Sequence, residues 1–243
     1  MNSLIHPSWL LPPGVAACST TRHGGFSQAP YESLNLGTHV GDDAATVQRN
    51  RESLVASAGL PQMPYWLTQV HGTRVLRLEG KVPTDLCADA VYSNQPGQVC
   101  AVMTADCLPV LFSSLAGNEV AAAHAGWRGL CDGVLEKTVS EFAAEPDQIS
   151  VWLGPAIGPH QFEVGAEVRE AFMAVDTAAN MAFTPCGDKY LADIYLLARQ
   201  RLHAVGINAI YGGDRCTVSE ASHFFSYRRD GITGRLASLI WLI

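Results

Sequence analysis

The stretch MTADCLPVLFSSLAGNEVAAAHAGWRG, from Met103 to Gly129, contains two apolar runs of strand length, and a reactive side chain interrupts each of them. Cys107 directly follows an acid, Asp106, at a place where a buried strand favours valine or isoleucine. His124 stands between two alanines just ahead of the loop-forming sequence GWRG. Because both residues lie where a strand meets glycine or proline, backbone pairing stops there, and the side chains can face a cleft.

Outside this stretch, short β-rich runs mix with helical periodicity, and no regular βαβ alternation appears. Strands are predicted at YWLTQVHG, RVLRLEG, ADAVYSN, VCAVMTADCLPVLFSS, EVAAAHA, ISVWLGPAIGP, NAIYGG, FFSYRRD and RLASLIWLI. Helices are predicted from Asp42 or Asp43 to Gly59 and over residues 129–143, 165–175 and 189–205. This mixture predicts the α+β class. Since no linker composition interrupts the chain, residues 1–243 are expected to form a single domain.

The composition excludes several classes of protein. The chain has 243 residues, of which 48% are apolar, enough for one large domain with a substantial core. A net charge of −7 argues against binding to nucleic acid or to anionic membranes, which needs a basic face. The start MNSLIHPSWLLPPGV lacks a basic region, and the apolar runs are too short to span a bilayer. Seven cysteines without a CxxC pair indicate reduced thiols, so we expect a cytoplasmic protein.

Three side chains at strand ends or in turns are candidate metal ligands: His71 in TQVHG, Cys107 in ADCLP and His124 in AHAGW. Two imidazoles and a thiolate suit Zn²⁺, and three protein ligands leave a fourth position open for water or substrate. Cu²⁺ also binds such ligands tightly. The competing interpretation is that these histidines are hydrogen-bonded structural residues, because spacing alone does not bring the three together.

Asp106 and Cys107 each allow two interpretations. Asp106 is costly to bury without a partner, so it is either an acceptor that orients a ligand imidazole or a solvated turn acid. Cys107 is either a metal ligand or a nucleophile with His124 as its base. These roles of Cys107 exclude each other, since a metal-bound thiolate is occupied, and we favour ligation.

Four of these motifs also carry a resemblance to a known family. TQVHG, MTADCLPVLF, AAAHAGWRG and LGPAIGP resemble, in the same order, the signature stretches of the YfiH/YlmD family. The similarity runs from VAACSTTRHGG to RRDGITGRLASLIWLI and thus covers nearly the whole chain. It implies a four-layer α/β/β/α sandwich and a metal site at His71, Cys107 and His124. It also implies phosphorolysis of adenosine, inosine and methylthioadenosine, with adenosine deamination as a second activity.

Phosphorolysis of purine nucleosides needs a phosphate pocket, polar contacts to ribose and base, and stabilisation of separated charge. The candidates for substrate binding are Arg22, Arg51 and Arg128 for phosphate, and Asn35 and Gln69 for ribose or base edges. The catalytic candidates are Cys107, Asp106 and Arg51. The structural alternative is a surface position for each arginine and a loop-stabilising amide for Asn35 and Gln69. Three further arginines surround the turn DGITG, where a structural role is favoured: Arg228, Arg229 and Arg235.

Three other functions remain as alternatives. Members of the YfiH/YlmD family, which this sequence resembles, have been labelled polyphenol oxidases. The eight histidines of this chain include no HxH pair, which the usual trinuclear copper cluster needs. Copper-dependent oxidase activity would therefore follow from replacement of the metal at a single site. A role in removing misincorporated residues from peptidoglycan precursors would suit a cysteine hydrolase or amidase. A non-catalytic metal-binding protein is the third. The zinc deaminase signature HxE…PCxxC is missing, so a deaminase here would be of an unrelated design.

Overall fold

The structure, a computed structural model, describes residues 4–243. Its strands are β1 (Leu4–Ile5), β2 (Val15–Thr20), β3 (Val75–Leu78), β4 (Ala90–Ser93), β5 (Val99–Thr104), β6 (Leu108–Ser114), β7 (Val120–Ala125), β8 (Ile149–Leu153), β9 (Glu163–Val164), β10 (Phe183–Cys186), β11 (Lys189–Ala192), β12 (Ala209–Gly212) and β13 (Leu236–Leu242). Its α-helices are α1 (Ala44–Ala58), α2 (Trp127–Asp132), α3 (Val134–Val139), α4 (Ala166–Val175), α5 (Ile194–Ala204) and α6 (Tyr227–Asp230). Short 3₁₀ helices cover Pro146–Gln148 and Thr177–Ala182. The predicted α+β class is confirmed.

The quoted stretch joins the two main sheets. Strand β5 forms the edge of a four-stranded sheet with the order β1-β2-β13-β5, whereas β6 and β7 are central in a six-stranded sheet with the order β12-β8-β6-β7-β4-β3. The chain crosses from one sheet to the other between Thr104 and Leu108, so Cys107 lies in the crossover itself. Strands β6 and β7 then pair as a hairpin in which Pro109 lies opposite His124. This register places His124 at the end of the six-stranded sheet, next to the crossover that carries Cys107.

Three apolar clusters show how the layers pack. Strand β13 alternates its side chains, so that Leu239 packs in the cluster beside α1, while Ile240 packs with Leu111 of β6 between the two sheets. The next residue of β6, Phe112, faces the opposite way into the cluster shared with α3, α4 and α5. Both sheets are thus buried on two faces. The four-layer α/β/β/α order that the resemblance implies stays a prediction.

Some predicted elements differ from the observed ones. The helix expected over residues 129–143 is broken into α2 and α3, because Gly133 adopts a left-handed φ of 96° and ends the first of them. The helix expected from residue 189 starts only at Ile194, since Asp193 caps it and residues 189–192 form β11 instead. The expected strand FFSYRRD contains α6, whose Ser226 cap accepts from the Arg229 amide. Helix α1 matches its prediction, with Asp43 and Gly59 as its caps.

All seven cysteines are free thiols. Over residues 4–243, the helices are too short or too polar to cross a lipid bilayer.

Candidate active site

The three predicted ligands come together at one end of the six-stranded sheet. His71 lies in a turn and has a left-handed φ of 61°, Cys107 lies in the crossover between the sheets, and His124 lies near the end of β7. Their ligating atoms are all within 4.8 Å of one another, and Cys107 Sγ is 3.8 Å from His71 Nε2. His71 is exposed, Cys107 is half-buried and His124 is buried. The side chains therefore form one cluster that is open to solvent on the His71 side.

Asp89, immediately before β4, holds this cluster in place. Its carboxylate accepts hydrogen bonds from the backbone amides of Val70, His71 and Gly72 at 3.1, 2.8 and 2.8 Å. The same group is 2.9 Å from His124 Nδ1, and its backbone carbonyl accepts from the His124 amide. Asp89 thus fixes both the turn that carries one histidine and the ring of the other. Because Nδ1 of His124 is engaged, Nε2 is the nitrogen left for a metal.

The structure gives the acceptor role that we considered for Asp106 to Asp89 instead. Asp106 accepts from the Thr217 hydroxyl at 2.6 Å and from the Arg228 amide at 2.6 Å. Thr217 lies in the segment that leads into α6 and Arg228 lies in α6 itself, so the carboxylate anchors this part of the chain to the crossover. Asp106 also has a left-handed φ of 99°, which turns the chain sharply just ahead of Cys107. It is a buried anchor and not a solvated turn acid.

The charges in the cluster shift two pKa values in opposite directions. Burial alone raises the pKa of the Cys107 thiol, but the charge of His124 and hydrogen bonds from both imidazoles outweigh it and lower the pKa to about 6. Burial alone lowers the pKa of His124, yet the Cys107 charge and the Asp89 hydrogen bond raise it to about 9. The metal-free protein therefore favours a thiolate beside an imidazolium, and a thiolate is the form that binds metal.

The geometry fits a Zn²⁺ ion. Tetrahedral zinc with Zn–S and Zn–N bonds of about 2.3 and 2.0–2.1 Å places sulfur and nitrogen about 3.6 Å apart. The separation between Cys107 Sγ and His71 Nε2 is 3.8 Å. Gly126 leaves space beside them, because a Cβ there would lie 2.7 Å from His71 Cδ2 and 3.1 Å from Cys107 Sγ. The chain thus keeps its ligands clear of side-chain bulk at this point.

We expect Gly126→Ala to reduce zinc affinity by at least about tenfold while the protein stays folded, because the new methyl group displaces His71 or Cys107 from the ligand cluster. Metal content after dialysis against a competing chelator measures the effect. Gly72→Ala is the matched control, since its Cβ would approach no atom closer than 3.5 Å. Equal zinc retention by the two variants would contradict the prediction.

A cavity of about 720 Å³ opens onto the ligand cluster. Its volume lies within the range of about 300–1,000 Å³ that is usual for small-molecule sites. The three ligands line it together with two of the predicted residues, Arg51 and Gln69. Gln69 is committed to the fold, because its amide donates to the Met103 carbonyl and accepts from the Met103 amide, both at 2.8 Å. Its side chain therefore braces β5 at the pocket wall.

The other predicted substrate contacts do not line this cavity. Arg22 donates to the carbonyls of Glu32 and Ala221, and its guanidinium lies over the Phe225 ring. Arg128 is exposed and stacks on the neighbouring Trp127 ring at 4.3 Å. Both arginines therefore lie outside the cavity that the three candidate ligands share.

Asn35 is fully buried and holds the backbone together. Its Oδ1 accepts from the amides of Gly37 and Arg235, both at 2.9 Å. Its Nδ2 donates to the Gly37 carbonyl and to Asp42. Both the oxygen and the nitrogen of the amide are therefore hydrogen-bonded within the fold, which is the loop-stabilising role given above as the alternative to substrate binding.

Sequence reasoning missed Asp89. Asp89 carried one signal, an acid at the start of an otherwise apolar strand, ADAVYS. Arg235, for which a structural role was favoured, lines the cavity, as does His39 of LGTHVGDD. A smaller cavity of about 150 Å³, which Trp127 lines, borders the other side of Cys107.

Comparison with known proteins identifies the family of this chain. The family model described as multi-copper polyphenol oxidoreductase laccase matches residues 16–243. The chain is 66% identical to the purine nucleoside phosphorylase YfiH of Shigella flexneri and 65% identical to that of Escherichia coli, over 243 residues and all of each protein. The chain belongs to the YfiH family. The resemblance that the four motifs carry is thereby confirmed.

Solved structures of the YfiH family share the fold over nearly the full length. A Neisseria meningitidis protein is 48% identical and superposes with a TM-score of 0.95 over 99% of each chain. YlmD of Geobacillus stearothermophilus is 30% identical, with a TM-score of 0.86 over 99% of this chain and 96% of its own. The arrangement of sheets and helices is therefore that of the YfiH family.

Proposed function

We propose that this chain is a zinc-dependent purine nucleoside phosphorylase that acts on adenosine, inosine and methylthioadenosine and deaminates adenosine as a second activity. The relatives from Shigella flexneri, Escherichia coli and Haemophilus influenzae, at 66, 65 and 57% identity, carry the name purine nucleoside phosphorylase, which supports nucleoside cleavage. The observation that carries the proposal is the cavity in which three metal-ligating side chains and a guanidinium meet.

Each part of the cavity suits a different need of the reaction. A Zn²⁺ ion held by His71, Cys107 and His124 would supply Lewis-acid polarisation at this end of the cavity. Arg51 places a guanidinium on the wall, where an anionic co-substrate can bind. Because phosphorolysis separates a cationic sugar from the departing base, fixed charges on the cavity wall lower its barrier. Asp89 keeps the His124 ring in one orientation while the substrate binds.

The proposal is tested by incubating zinc-loaded protein with inosine, with and without inorganic phosphate, and following hypoxanthine and ribose 1-phosphate. We expect phosphate-dependent product. Cys107→Ala should lower the rate by more than about 100-fold, since loss of a ligand exceeds the roughly 10–100-fold cost of losing a ligand's hydrogen-bond partner. Cys186→Ala, at an exposed cysteine of β10 outside the cavity, is the control and should keep full activity. No product from folded, metal-loaded protein would refute the phosphorylase proposal.

The second candidate function is that of a cysteine hydrolase or amidase acting on a peptidoglycan precursor. The observation that favours it is the placement of the His124 ring, which is bonded to Asp89 through Nδ1 and interacts with the Cys107 thiol. This is the relation of nucleophile, base and orienting acid that cysteine hydrolases use. Product release from a peptidoglycan precursor by metal-free protein, abolished by zinc, would support it.

Copper-dependent oxidation is the third candidate function, and it would use the same three side chains as ligands. Within residues 4–243, His71, Cys107 and His124 are the one cluster of three or more metal-ligating side chains. Such a cluster suits a single ion, whereas a trinuclear copper site needs several more histidines. We therefore propose Cu²⁺ as an ion that can replace Zn²⁺ at this site.

A further inference from the structure

Two guanidiniums on the cavity wall lack an acidic partner. Arg51 and Arg235 are both half-buried and both line the cavity, yet neither is ion-paired with a carboxylate of residues 4–243. The carboxylate of Asp106, whose charge acts on Arg235, is already bonded to Thr217 and to a backbone amide. A partly desolvated charge without a counter-charge costs free energy, which a bound anion would offset.

Both guanidiniums keep donors free for a ligand. Arg51 donates through Nε and Nη2 to the Leu36 carbonyl, at 3.0 and 2.8 Å. Arg235 donates through Nη1 to the carbonyls of Thr233 and Gly234. Among the hydrogen bonds of the described residues, Nη1 of Arg51 and both Nε and Nη2 of Arg235 meet no acceptor. The bonds that do form fix each planar group while leaving these N–H groups available.

One short loop, residues 35–39, supports both arginines. The Leu36 carbonyl holds Arg51, and Asn35 Oδ1 holds the backbone amide of Arg235 at 2.9 Å. Gly37 lets Arg235 approach, because a Cβ at this position would lie 2.7 Å from Arg235 Cγ and 3.4 Å from His39 Cε1. The same five residues thus position two arginines that are 184 positions apart in the chain. This shared support indicates a preorganised site and not a chance cluster of surface arginines.

A third basic group, His39, lies beside them on the cavity wall. Burial, followed by the charges of Arg235 and Arg51, lowers the pKa of His39. Burial also lowers the pKa of Arg51, to about 10. The pKa shift of His39 thus reflects burial and the two nearby positive charges, whereas that of Arg51 reflects burial. An anion bound there would offset the repulsion between the positive charges of these side chains.

We propose that Arg51, Arg235 and His39 form an oxyanion site for inorganic phosphate on the cavity wall, facing the same space as the His71–Cys107–His124 cluster. The choice of inorganic phosphate rests on the proposed phosphorylase function, whereas the anion site itself rests on the contacts above. It replaces Arg22 and Arg128 as phosphate ligands, since neither lines the cavity.

Calorimetric titration of the full zinc-loaded chain with inorganic phosphate, at constant ionic strength, tests the site. We expect saturable binding, which Arg51→Gln and Arg235→Gln each weaken by roughly 10- to 100-fold, because each removes charge-assisted hydrogen bonds. In phosphorolysis, the same variants should raise the KM for phosphate far more than the KM for inosine. Arg235→Lys keeps the positive charge but loses the forked geometry of the guanidinium donors. Its phosphate affinity should therefore lie between those of the wild type and Arg235→Gln.

Arg49→Gln is the matched control for the glutamine variants. Arg49 lies on helix α1, as Arg51 does, but it is exposed and stacks over the Phe26 ring outside the cavity. Its loss should therefore leave phosphate binding unchanged. Wild-type phosphate affinity in folded Arg51→Gln and Arg235→Gln proteins would overturn the proposal, as would equal weakening in Arg49→Gln. Circular dichroism confirms that each variant is folded before it is scored.

A phosphoryl group could also reach this site as part of a nucleotide, so inosine 5′-monophosphate is titrated in parallel. Binding of inorganic phosphate with inosine bound at the same time supports the proposal, and binding of the nucleotide alone overturns it. Failure of the two proposals is also distinguishable. If phosphate binds as expected but inosine is not cleaved, the anion site stands and the phosphorylase function fails.

Discussion

Asp89→Ala is expected to lower the free energy of unfolding by about 3–5 kcal/mol, the usual cost of removing one partner from a buried ionic pair. The side chain is 0% exposed and accepts four hydrogen bonds, three from backbone amides and one from His124. Alanine removes the acceptor of all four donors, of which the His124 ring is buried. Urea denaturation of the metal-free protein at neutral pH measures the loss.

The same substitution should weaken zinc binding by about 10–100-fold, since it frees the turn that carries His71 and the ring of His124. Asp85→Asn is the control, because this nearby carboxylate is exposed and pairs with Arg74 at the surface. Its stability and zinc affinity should match those of the wild type. An Asp89→Ala protein with unchanged zinc affinity would contradict the role that we assign to Asp89.

The pH dependence of stability follows from the same carboxylate. Burial by itself raises the pKa of Asp89, but hydrogen bonds from His124, Gly72 and Val70 outweigh it and lower the pKa below its ordinary value. The stabilisation is therefore complete above the ordinary carboxyl pKa of about 4 and is lost as pH falls through the lowered folded-state value. Comparing wild type and Asp89→Ala between pH 7 and pH 3 should show their stabilities converging toward acid.

The clustering of the candidate ligands was predictable in part because the signals of two of them are local. Cys107 and His124 each interrupt an apolar run, and each lies where β pairing ends. Asp89 was not predictable in the same way, because its role depends on the pairing of β4 with β7, in which Ala90 lies opposite Ala123. That register places Asp89 next to His124, and nothing in the sequence ADAVYSN specifies it. Asp106, the acid adjacent to Cys107 in sequence, turns out to bind a distant segment instead.

The arginines illustrate the same limit. Arg235 reaches the cavity because its backbone is bonded to Asn35, 200 residues away, and no periodicity within either segment encodes that contact. Arg22 lies in a loop rich in glycine and serine, a usual place for functional groups, but its guanidinium donates to the carbonyls of Glu32 and Ala221 and does not line the cavity. Helix α1 and strands such as β7 and β13 follow from local pattern, whereas the polar wall of a cavity depends on contacts between distant parts of the chain.

Zinc is expected to protect Cys107 almost completely from alkylation by iodoacetamide. At a free zinc concentration of about 100 times Kd, about 1% of sites lack metal, so the modification rate should fall about 100-fold. The reason is that donation of sulfur electron density to Zn²⁺ lowers the nucleophilicity of the thiolate. Peptide mapping by mass spectrometry follows each cysteine separately. Cys87 and Cys186 are exposed and lie outside the ligand cluster, so their rates should not change with zinc and serve as internal controls.

In the metal-free protein, the pH profile of Cys107 alkylation should have its midpoint near pH 6, because the charge of His124 and hydrogen bonds from both imidazoles overcome the effect of burial on the thiol pKa. An ordinary cysteine would have its midpoint near 8.5. The two readouts together separate the functions proposed for this site. If Cys107 is protected by zinc and zinc-loaded protein is the active form, the thiolate is a ligand and the chemistry is metal-dependent. If Cys107 reacts equally fast with and without zinc, ligation is wrong, and the Cys107–His124–Asp89 arrangement must act as a nucleophilic site.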